Sequence, residues 1–204
     1  MRDPWYYSRR FITDQAARLT GDVIDIGCGS AKYRQMILDL PGVETFTGLD
    51  FFAAPEVDIV ADLNKALPIE DGRYDAAICI SVLEHLLEPD AALGEINRVL
   101  KEGAYLLIST PWIFPYHAVP DDYYRFSRKL LEYLAEKNGF EVVYVSSTGG
   151  RMRIVMNMFV FWFPFWKKFK RFLDPLLASL DRQRTNEENP HLNTPSHHLI
   201  LRKK

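Results

Sequence analysis

The residues best suited to chemistry lie in a glycine-rich turn near the start of the chain. The run Asp25-Ile26-Gly27-Cys28-Gly29 directly follows a short apolar stretch that predicts a strand. Two glycines allow a sharp turn and let a ligand approach the backbone closely. The carboxylate of Asp25 would repel a pyrophosphate and favour a ligand with positive charge. The pattern therefore predicts a binding turn for a cationic ligand.

Two further carboxylates stand where the next predicted strands end. Asp50 lies 21 residues after Gly29, and Asp62 is followed by Leu63. A carboxylate at position 50 can accept hydrogen bonds from both hydroxyls of a ribose. Asp62 could accept from an adenine amino group while Leu63 packs on the ring. Each aspartate alone also suits a turn or a helix cap, so it is their joint spacing that predicts a nucleoside-binding edge.

A nicotinamide-dependent oxidoreductase is the first alternative for such a turn. A dinucleotide fingerprint would require a third glycine at the position of Lys32. Tyr133 and Lys137 have the spacing of the catalytic pair of short-chain dehydrogenases, but residues four apart are simply neighbours on a helix surface. An NAD(P)-dependent oxidoreductase on a Rossmann-like fold is therefore disfavoured and kept as an alternative. A non-catalytic module that binds the cofactor is a second alternative.

The elements that must position these residues alternate along the chain. Runs rich in β-branched or aromatic residues predict strands over residues 22–26, 46–50, 57–61, 75–81, 104–110, 140–146 and 198–202. Amphipathic stretches predict helices over residues 32–40, 89–100 and 127–138, after an N-terminal helical segment at residues 1–19. The alternation indicates an α/β fold with a doubly wound, mostly parallel sheet, whose ligands bind at the carboxyl ends of the strands.

Length and composition limit the class of protein. The 204 residues, 48% hydrophobic and 25% charged, predict a single globular domain over residues 1–204 and exclude a disordered chain. Two cysteines exclude a disulfide framework. No apolar run reaches the ~18–20 residues that span a bilayer, and the first residues lack a signal core, so we expect a cytoplasmic protein. His197 and His198 point to opposite faces of a strand, and no other cluster has metal-ligand spacing; we expect no metal.

Four segments resemble a known family in their amino-acid sequence and in their order along the chain. They are VIDIGCGSAKY at 23–33, TGLD at 47–50, VADLN at 60–64 and the long stretch 67–111, which contains CISVLEHLLEPDAALGEINRVLKEGAYLLISTP. Together they resemble the class I S-adenosylmethionine-dependent methyltransferases, in the branch typified by ubiquinone- and menaquinone-biosynthesis enzymes. The resemblance covers residues 20–148. The sequence departs from the family at Ala31, where a third glycine is common, and at Gly103-Ala104, where Gly-Gly is usual.

The resemblance implies a fold, a cofactor and an activity. The fold would be a Rossmann-like sheet of seven strands in the order 3-2-1-4-5-7-6, with the last strand antiparallel. The activity would be transfer of a methyl group from S-adenosyl-L-methionine to a small-molecule, sugar-linked or amphipathic acceptor. The expected cofactor-binding residues are Asp25, Gly27, Cys28, Gly29, Asp50, Phe51, Asp62, Leu63, Ser81 and Val82.

The acceptor side is expected to form from the residues that follow the fourth and fifth strands. The loop after the fifth strand resembles bacterial methyltransferases in which His is followed by Pro-x-Asp-Tyr-x-Arg-Phe-Ser/Thr, some of them from surface-polysaccharide pathways. The catalytic candidates are His117, Asp122 and His85, and the substrate-binding candidates are Tyr116, Tyr123, Tyr124 and Arg125. The alternatives are a structural His85, and a helical turn capped by Asp121 or Asp122 with Arg125 paired to one of them.

Charge is distributed unevenly along the chain. Residues 1–149 hold 14 basic and 23 acidic side chains, a net −9, whereas residues 150–184 hold 8 and 2, a net +6. Residues 154–166 carry six aromatic side chains, and basic residues follow up to position 172. We expect an aromatic and basic helical insertion at 150–190, before the last strand, acting as a lid, a homodimer contact or a peripheral contact with the inner face of a membrane through residues 154–172. The acidic body disfavours nucleic acid as a partner.

Overall fold

A computed structural model describes residues 6–118, 120–148, 154–156, 158–159 and 194–204 of the chain. Within residues 6–148 and 194–204 the described chain forms seven strands and four α-helices. In chain order they are α1 Tyr6–Asp14, β1 Gly21–Ile26, α2 Arg34–Leu38, β2 Val43–Asp50, β3 Ile59–Val60, β4 Tyr74–Ile80, α3 Pro89–Val99, β5 Leu100–Pro111, α4 Arg128–Lys137, β6 Phe140–Thr148 and β7 Ser196–Lys203.

The strands form one sheet in the order β3-β2-β1-β4-β5-β7-β6. Strands β1 to β5 pair in parallel, and β7 is antiparallel to both of its neighbours, β5 and β6. The expected topology is therefore confirmed. The order reverses between β1 and β4, and the crevice at the carboxyl ends of these two strands is where open α/β sheets bind their ligands.

Both faces of the sheet are covered by apolar side chains. Successive residues of β1 point to opposite faces, so Ile24 joins a core cluster with α3 and α4, while Val23 joins another with α1 and α2. Leu93 and Leu131 fill the first cluster, and Ile37 fills the second. This double cover makes the sheet a rigid base for the loops at its carboxyl edge.

Several element boundaries differ from the sequence-based prediction. The helix expected over 32–40 is only Arg34–Leu38, because residues 29–33 form turns in which Ala31 has a positive φ of 45°. The strand expected over 57–61 is reduced to the two residues Ile59–Val60, since this edge strand pairs only with Leu49 and Asp50 of β2. β5 begins at Leu100, which the sequence places in the preceding helix.

Most of the insertion at residues 150–190 lies outside the described residues. Residues 154–156 and 158–159 are helical, and the remainder of the aromatic and basic stretch is not described. No helix among the described residues has the length and apolarity required to cross a membrane.

Candidate cofactor and acceptor site

The glycine turn is packed against the segment that follows β4. Gly27 has a φ of 72°, and a Cβ atom there would lie 2.4 Å from Cγ2 of Val82. The amides of Gly27 and Cys28 both donate to the carbonyl of Leu49, at 2.8 and 2.9 Å. Only glycine fits this path, because both the left-handed backbone and the close approach to Val82 exclude a side chain. The turn thus joins the ends of β1, β2 and β4.

Gly29 and Asp25 together offer an open surface and an unsatisfied acceptor. Gly29 is exposed with a φ of 56°, and nothing stands within 4 Å of where a Cβ would be. Asp25 is 1% exposed, and its Oδ2 has no hydrogen-bond partner among the described residues. Burial raises the pKa of Asp25 to about 8. A buried acceptor of this kind requires a partner, and a ligand ammonium group would supply one.

Asp50 is held in place by two backbone amides. Its Oδ2 accepts from the amide of Gly29 at 2.8 Å, and its Oδ1 accepts from that of Phe52 at 3.0 Å. Each carboxylate oxygen retains a second acceptor site for a hydroxyl. Phe51 and Phe52 are about half exposed beside it, with ring centroids 5.0 Å apart. Asp50 and Phe51 therefore lie at the turn, as the nucleoside-binding hypothesis requires.

Asp62 and Leu63 make contacts within the fold that differ from the adenine contacts expected from the sequence. Oδ1 of Asp62 accepts from both the backbone and the side-chain amide of Asn64, at 3.0 Å each, and Oδ2 pairs with Lys65 at 3.2 Å. Leu63 is 6% exposed and belongs to the apolar core. This is the turn geometry that the sequence left as the alternative, so contact of this pair with adenine stays a prediction.

The chain leaves β4 through an unusual backbone conformation. Ser81 has a φ of 58°, a left-handed value that a non-glycine residue adopts at an energetic cost, and its amide donates to the carbonyl of Ser109 at 2.8 Å. The helical turn Leu83–His85 follows at once. Nearby Cys28 is buried, and burial raises the pKa of its thiol to about 12, so it contributes packing rather than a nucleophile.

Glu84, His85 and His117 meet at the acceptor side. Glu84 is fully buried, and Nε2 of His85 and Nε2 of His117 each lie 3.7 Å from its Oε1. The two imidazole rings stand nearly perpendicular, with centroids 5.1 Å apart. The amides of Tyr123 and Tyr124 donate to the carbonyl of Glu84, at 2.8 and 3.2 Å, and fasten the second loop to the first. Both candidate histidines are thus brought together by the carboxylate of Glu84, which is not among the sequence-based candidates.

Asp122 organises the loop between β5 and α4. Its carboxylate, 1% exposed, accepts from the guanidinium of Arg125 at 2.5 and 2.7 Å and from the backbone amide of His117 at 2.8 Å. The Arg125 guanidinium holds the pKa of Asp122 well below its usual range. Glu84 raises the pKa of His117, although the two side chains are at ion-pair rather than hydrogen-bond distance. A carboxylate with so low a pKa is a weak base, so the geometry favours the alternative of an Asp–Arg pair over a catalytic Asp122.

The substrate-binding candidates divide into exposed and structural residues. Tyr116 and Tyr123 are 66% and 45% exposed. The hydroxyl of Tyr124 donates to the carbonyl of Leu87 at 3.1 Å, and Arg125 also donates to the carbonyls of the loop itself. Tyr116 and Tyr123 are therefore available to an acceptor, whereas Tyr124 and Arg125 mainly hold the loop.

The expectation that the protein binds no metal depended on the spacing of possible ligands along the chain. Glu84 and His85 lie 33 and 32 residues before His117, yet one ligand-type atom from each of the three lies within 4.8 Å of the others. Spacing within a single segment cannot reveal a cluster assembled from two loops. His197 and His198 are adjacent in sequence and both buried, but they pack against different residues. The ring centroid of His198 lies 4.7 Å from that of Phe11.

Residues 24–108 match a family model described as a methyltransferase domain. A probable S-adenosylmethionine-dependent methyltransferase of Mycolicibacterium smegmatis is 30% identical over 118 residues, covering 52% of this chain and 45% of that protein. The demethylmenaquinone methyltransferase of Renibacterium salmoninarum is 29% identical over 126 residues, covering 56% and 53%. The chain spans about half the length of these curated relatives.

Solved structures agree with the fold. A crystal structure of an S-adenosylmethionine-dependent methyltransferase from Archaeoglobus fulgidus superposes with a TM-score of 0.66 at 13% identity, covering 99% of this chain and 96% of that one. At this identity the likeness concerns the fold alone.

Proposed function

We propose that this chain, a member of the class I S-adenosylmethionine-dependent methyltransferases by its fold and its matched residues, transfers a methyl group to an acceptor held beside Glu84, His85 and His117. The observation that carries the proposal is the buried Asp25 carboxylate. One of its oxygens lacks a partner among the described residues, and it directly precedes the open glycine turn. The comparisons provide no support for the oxidoreductase alternative.

The residues present suit the cofactor group by group. Asp25 would receive the ammonium of the methionine moiety, which supplies the hydrogen-bond donor that its free oxygen needs. Asp50, oriented by Gly29, would accept from the ribose hydroxyls. Gly27 and Gly29 leave room for the ligand to lie against the backbone. Bound there, S-adenosylmethionine would supply an electrophilic methyl group, and the chain would provide orientation and electrostatic stabilisation.

The acceptor would lie between this turn and the loop after β5. The segment after β4 connects the two, because Val82 contacts the turn at Gly27 and Glu84 binds the loop through Tyr123 and Tyr124. The exposed Tyr116 and Tyr123 offer aromatic surface and hydroxyls at the rim. We propose a small-molecule acceptor, free or linked to a sugar or lipid.

The aromatic and basic residues 154–172 extend this proposal to the location of the enzyme. A cytoplasmic protein with this stretch would contact the inner face of a membrane, or a second copy of itself. Flotation with anionic vesicles tests the membrane contact: failure to float at low salt, together with a dimer in solution, would favour self-association.

Calorimetry with S-adenosylhomocysteine tests the cofactor assignment directly. We expect saturable binding to the wild-type chain, and no binding of NAD under the same conditions. Turnover of a labelled methyl donor against extracted lipids, quinones and glycans then tests the transfer. NAD binding without S-adenosylhomocysteine binding would overturn the proposal.

A further inference from the structure

We infer that Glu84, His85 and His117 form a binding site for a divalent transition-metal cation on the acceptor side. Two imidazoles and one carboxylate are an established ligand set for such ions, which leaves further positions open for water or substrate. The three side chains come from two separate loops, and one ligand atom of each lies within 4.8 Å of the others.

The distances between the ligand atoms are close to those that a bound ion requires. Each Nε2 lies 3.7 Å from Oε1 of Glu84. Ligands about 2.1 Å from one ion in a tetrahedral arrangement stand about 3.4 Å apart, so the two glutamate–histidine pairs would have to close by only a few tenths of an ångström. The two imidazole nitrogens lie within 4.8 Å of each other. The contact is too long for a hydrogen bond between the imidazoles and the carboxylate.

The other nitrogen of each imidazole already has the partners that a metal ligand usually has. Nδ1 of His85 lies 2.5 Å from the carbonyl oxygen of Asp121, and Nδ1 of His117 lies 3.1 Å from that of Pro115. Oδ2 of Asp122 is a second acceptor, 3.2 Å from Nδ1 of His117. Acceptors at Nδ1 fix the tautomer that carries its proton there, which leaves Nε2 with a free lone pair directed at Glu84.

Arg125 is the one described cation that touches this cluster. Its Nη2 lies 3.4 Å from Nδ1 of His117, farther than either acceptor. Both of its terminal nitrogens bind the carboxylate of Asp122, so its charge is neutralised within the loop. The net charge that faces the proposed ion is therefore the negative charge of Glu84.

The state of Glu84 is the second, independent observation that points to an ion. Its side chain is 0% exposed, and neither carboxylate oxygen has a hydrogen-bond partner among the described residues. A buried charge without a hydrogen-bond donor costs several kcal/mol unless it is paired or coordinates a metal, and the ion-pair neighbours of Glu84 among the described residues are the two imidazoles that would share the ion with it. His85 and His117 keep 14% and 31% of their side chains exposed, so an ion could reach the site from solvent.

The ligand set indicates the kind of ion and of acceptor. Imidazole ligands favour zinc, iron(II) or nickel over magnesium and calcium, which prefer oxygen ligands. If the proposed methyl transfer is correct, on which this step depends, the open position would hold an acceptor oxygen. A hydroxyl bound there would lose its proton to solvent more readily, because a divalent ion lowers the pKa of a coordinated oxygen. The cation would thereby replace the general base that methyl transfer to a hydroxyl otherwise requires.

Cobalt(II) titration of tag-free, EDTA-treated protein tests the site without any need for activity. We expect visible absorption bands of a protein-bound ion and saturation at one ion per chain. Glu84→Gln and His117→Asn should each weaken binding at least about tenfold. Glu136→Gln, which removes an exposed carboxylate on α4, serves as the matched control and should bind as the wild type does.

Equal Co²⁺ affinity in the wild type and in Glu84→Gln, or a spectrum no different from that of the free ion, would overturn the metal site. Calorimetry with S-adenosylhomocysteine on the same samples separates the two proposals and reports whether each variant is folded. Cofactor binding without a metal site would leave methyl transfer standing, and a metal site without cofactor binding would leave the metal standing.

Discussion

The glycine turn and the acceptor loop are held in shape by different means, although they lie at the same edge of the sheet. The turn relies on the path of the backbone: Gly27 has a positive φ and touches Val82, and Gly29 leaves open space. The loop relies on side chains, with Asp122 holding Arg125 and His117. A site formed by the backbone suits a ligand that is the same in all related enzymes. A site formed by side chains can be adapted to a different ligand by single substitutions. Changes in the two regions should therefore separate cofactor binding from turnover.

Gly27→Ala should have the largest effect. The new Cβ would lie 2.4 Å from Val82, and alanine would be strained at a φ of 72°. We expect a loss of about 4 kcal/mol in the free energy of unfolding, together with loss of S-adenosylhomocysteine binding. Urea unfolding and calorimetry measure both. Gly72→Ala is the control: it has a φ of 61° but open space, and should cost only about 1 kcal/mol.

Asp122→Asn should affect the acceptor side selectively. Removal of one partner of a buried ion pair leaves Arg125 uncompensated, so we expect a loss of about 3 kcal/mol in stability. At a temperature where the variant remains folded, turnover should be lost while the affinity for S-adenosylhomocysteine changes less than about twofold. Equal loss of affinity and turnover would contradict the separation of the two regions.

Asp50→Ala should do the opposite and act on cofactor binding first. It removes the acceptor proposed for the ribose and frees the amides of Gly29 and Phe52. We expect about 100-fold weaker binding of S-adenosylhomocysteine, since charged hydrogen bonds contribute about 1.5–3 kcal/mol each. Asp39→Ala, on the exposed end of α2, provides the comparison. Calorimetric affinity unchanged from the wild type would remove Asp50 from the site.

Asp25 should make stability depend on pH in the absence of ligand. Burial raises its pKa to about 8 in the folded protein, above the value of an unfolded aspartate. The stability that its protonated form confers is complete below the unfolded pKa, near 4, and is lost as pH rises towards 8. Relative to Asp25→Asn, the wild type should lose about 1 kcal/mol between pH 6 and pH 7. Chemical unfolding at the two pH values measures the difference; a parallel pH dependence in the variant would contradict it.

Ala31→Gly should have the smallest effect. Ala31 has a positive φ of 45° at the position where the resembling family has glycine. Relief of backbone strain and the greater freedom of glycine in the unfolded chain oppose each other, so stability should change by less than about 1 kcal/mol. A thermal melt suffices, and a destabilisation of several kcal/mol would show that the methyl group of Ala31 packs more tightly than its strain costs.

The glycine turn could be predicted from sequence because its elements are local. Asp25, Gly27 and Gly29 lie within five residues, and Asp50 follows at the end of the next strand. The exact ends of α2 and β3 could not be predicted, because they depend on the conformation at Ala31 and on pairing at the edge of the sheet.

The acceptor side was only partly predictable, because its contacts join residues that lie far apart in the sequence. His85 and His117 could each be named as candidates, but their meeting at Glu84 depends on how the loop after β5 folds back. No spacing in the chain encodes that contact. The roles of Asp122 and Arg125 likewise required the hydrogen bonds of the folded loop to separate positioning from catalysis.

The antiparallel strand β7 also affects the order in which the protein can assemble during synthesis. It is the last of the seven strands in the sequence, yet it lies between β5 and β6 and pairs with both. Until residues 196–203 have emerged from the ribosome, β6 has no neighbour among the described strands and β5 has one open edge. The nascent chain would therefore expose unpaired strand edges after the residues of the glycine turn have emerged, and such edges are open to non-native pairing.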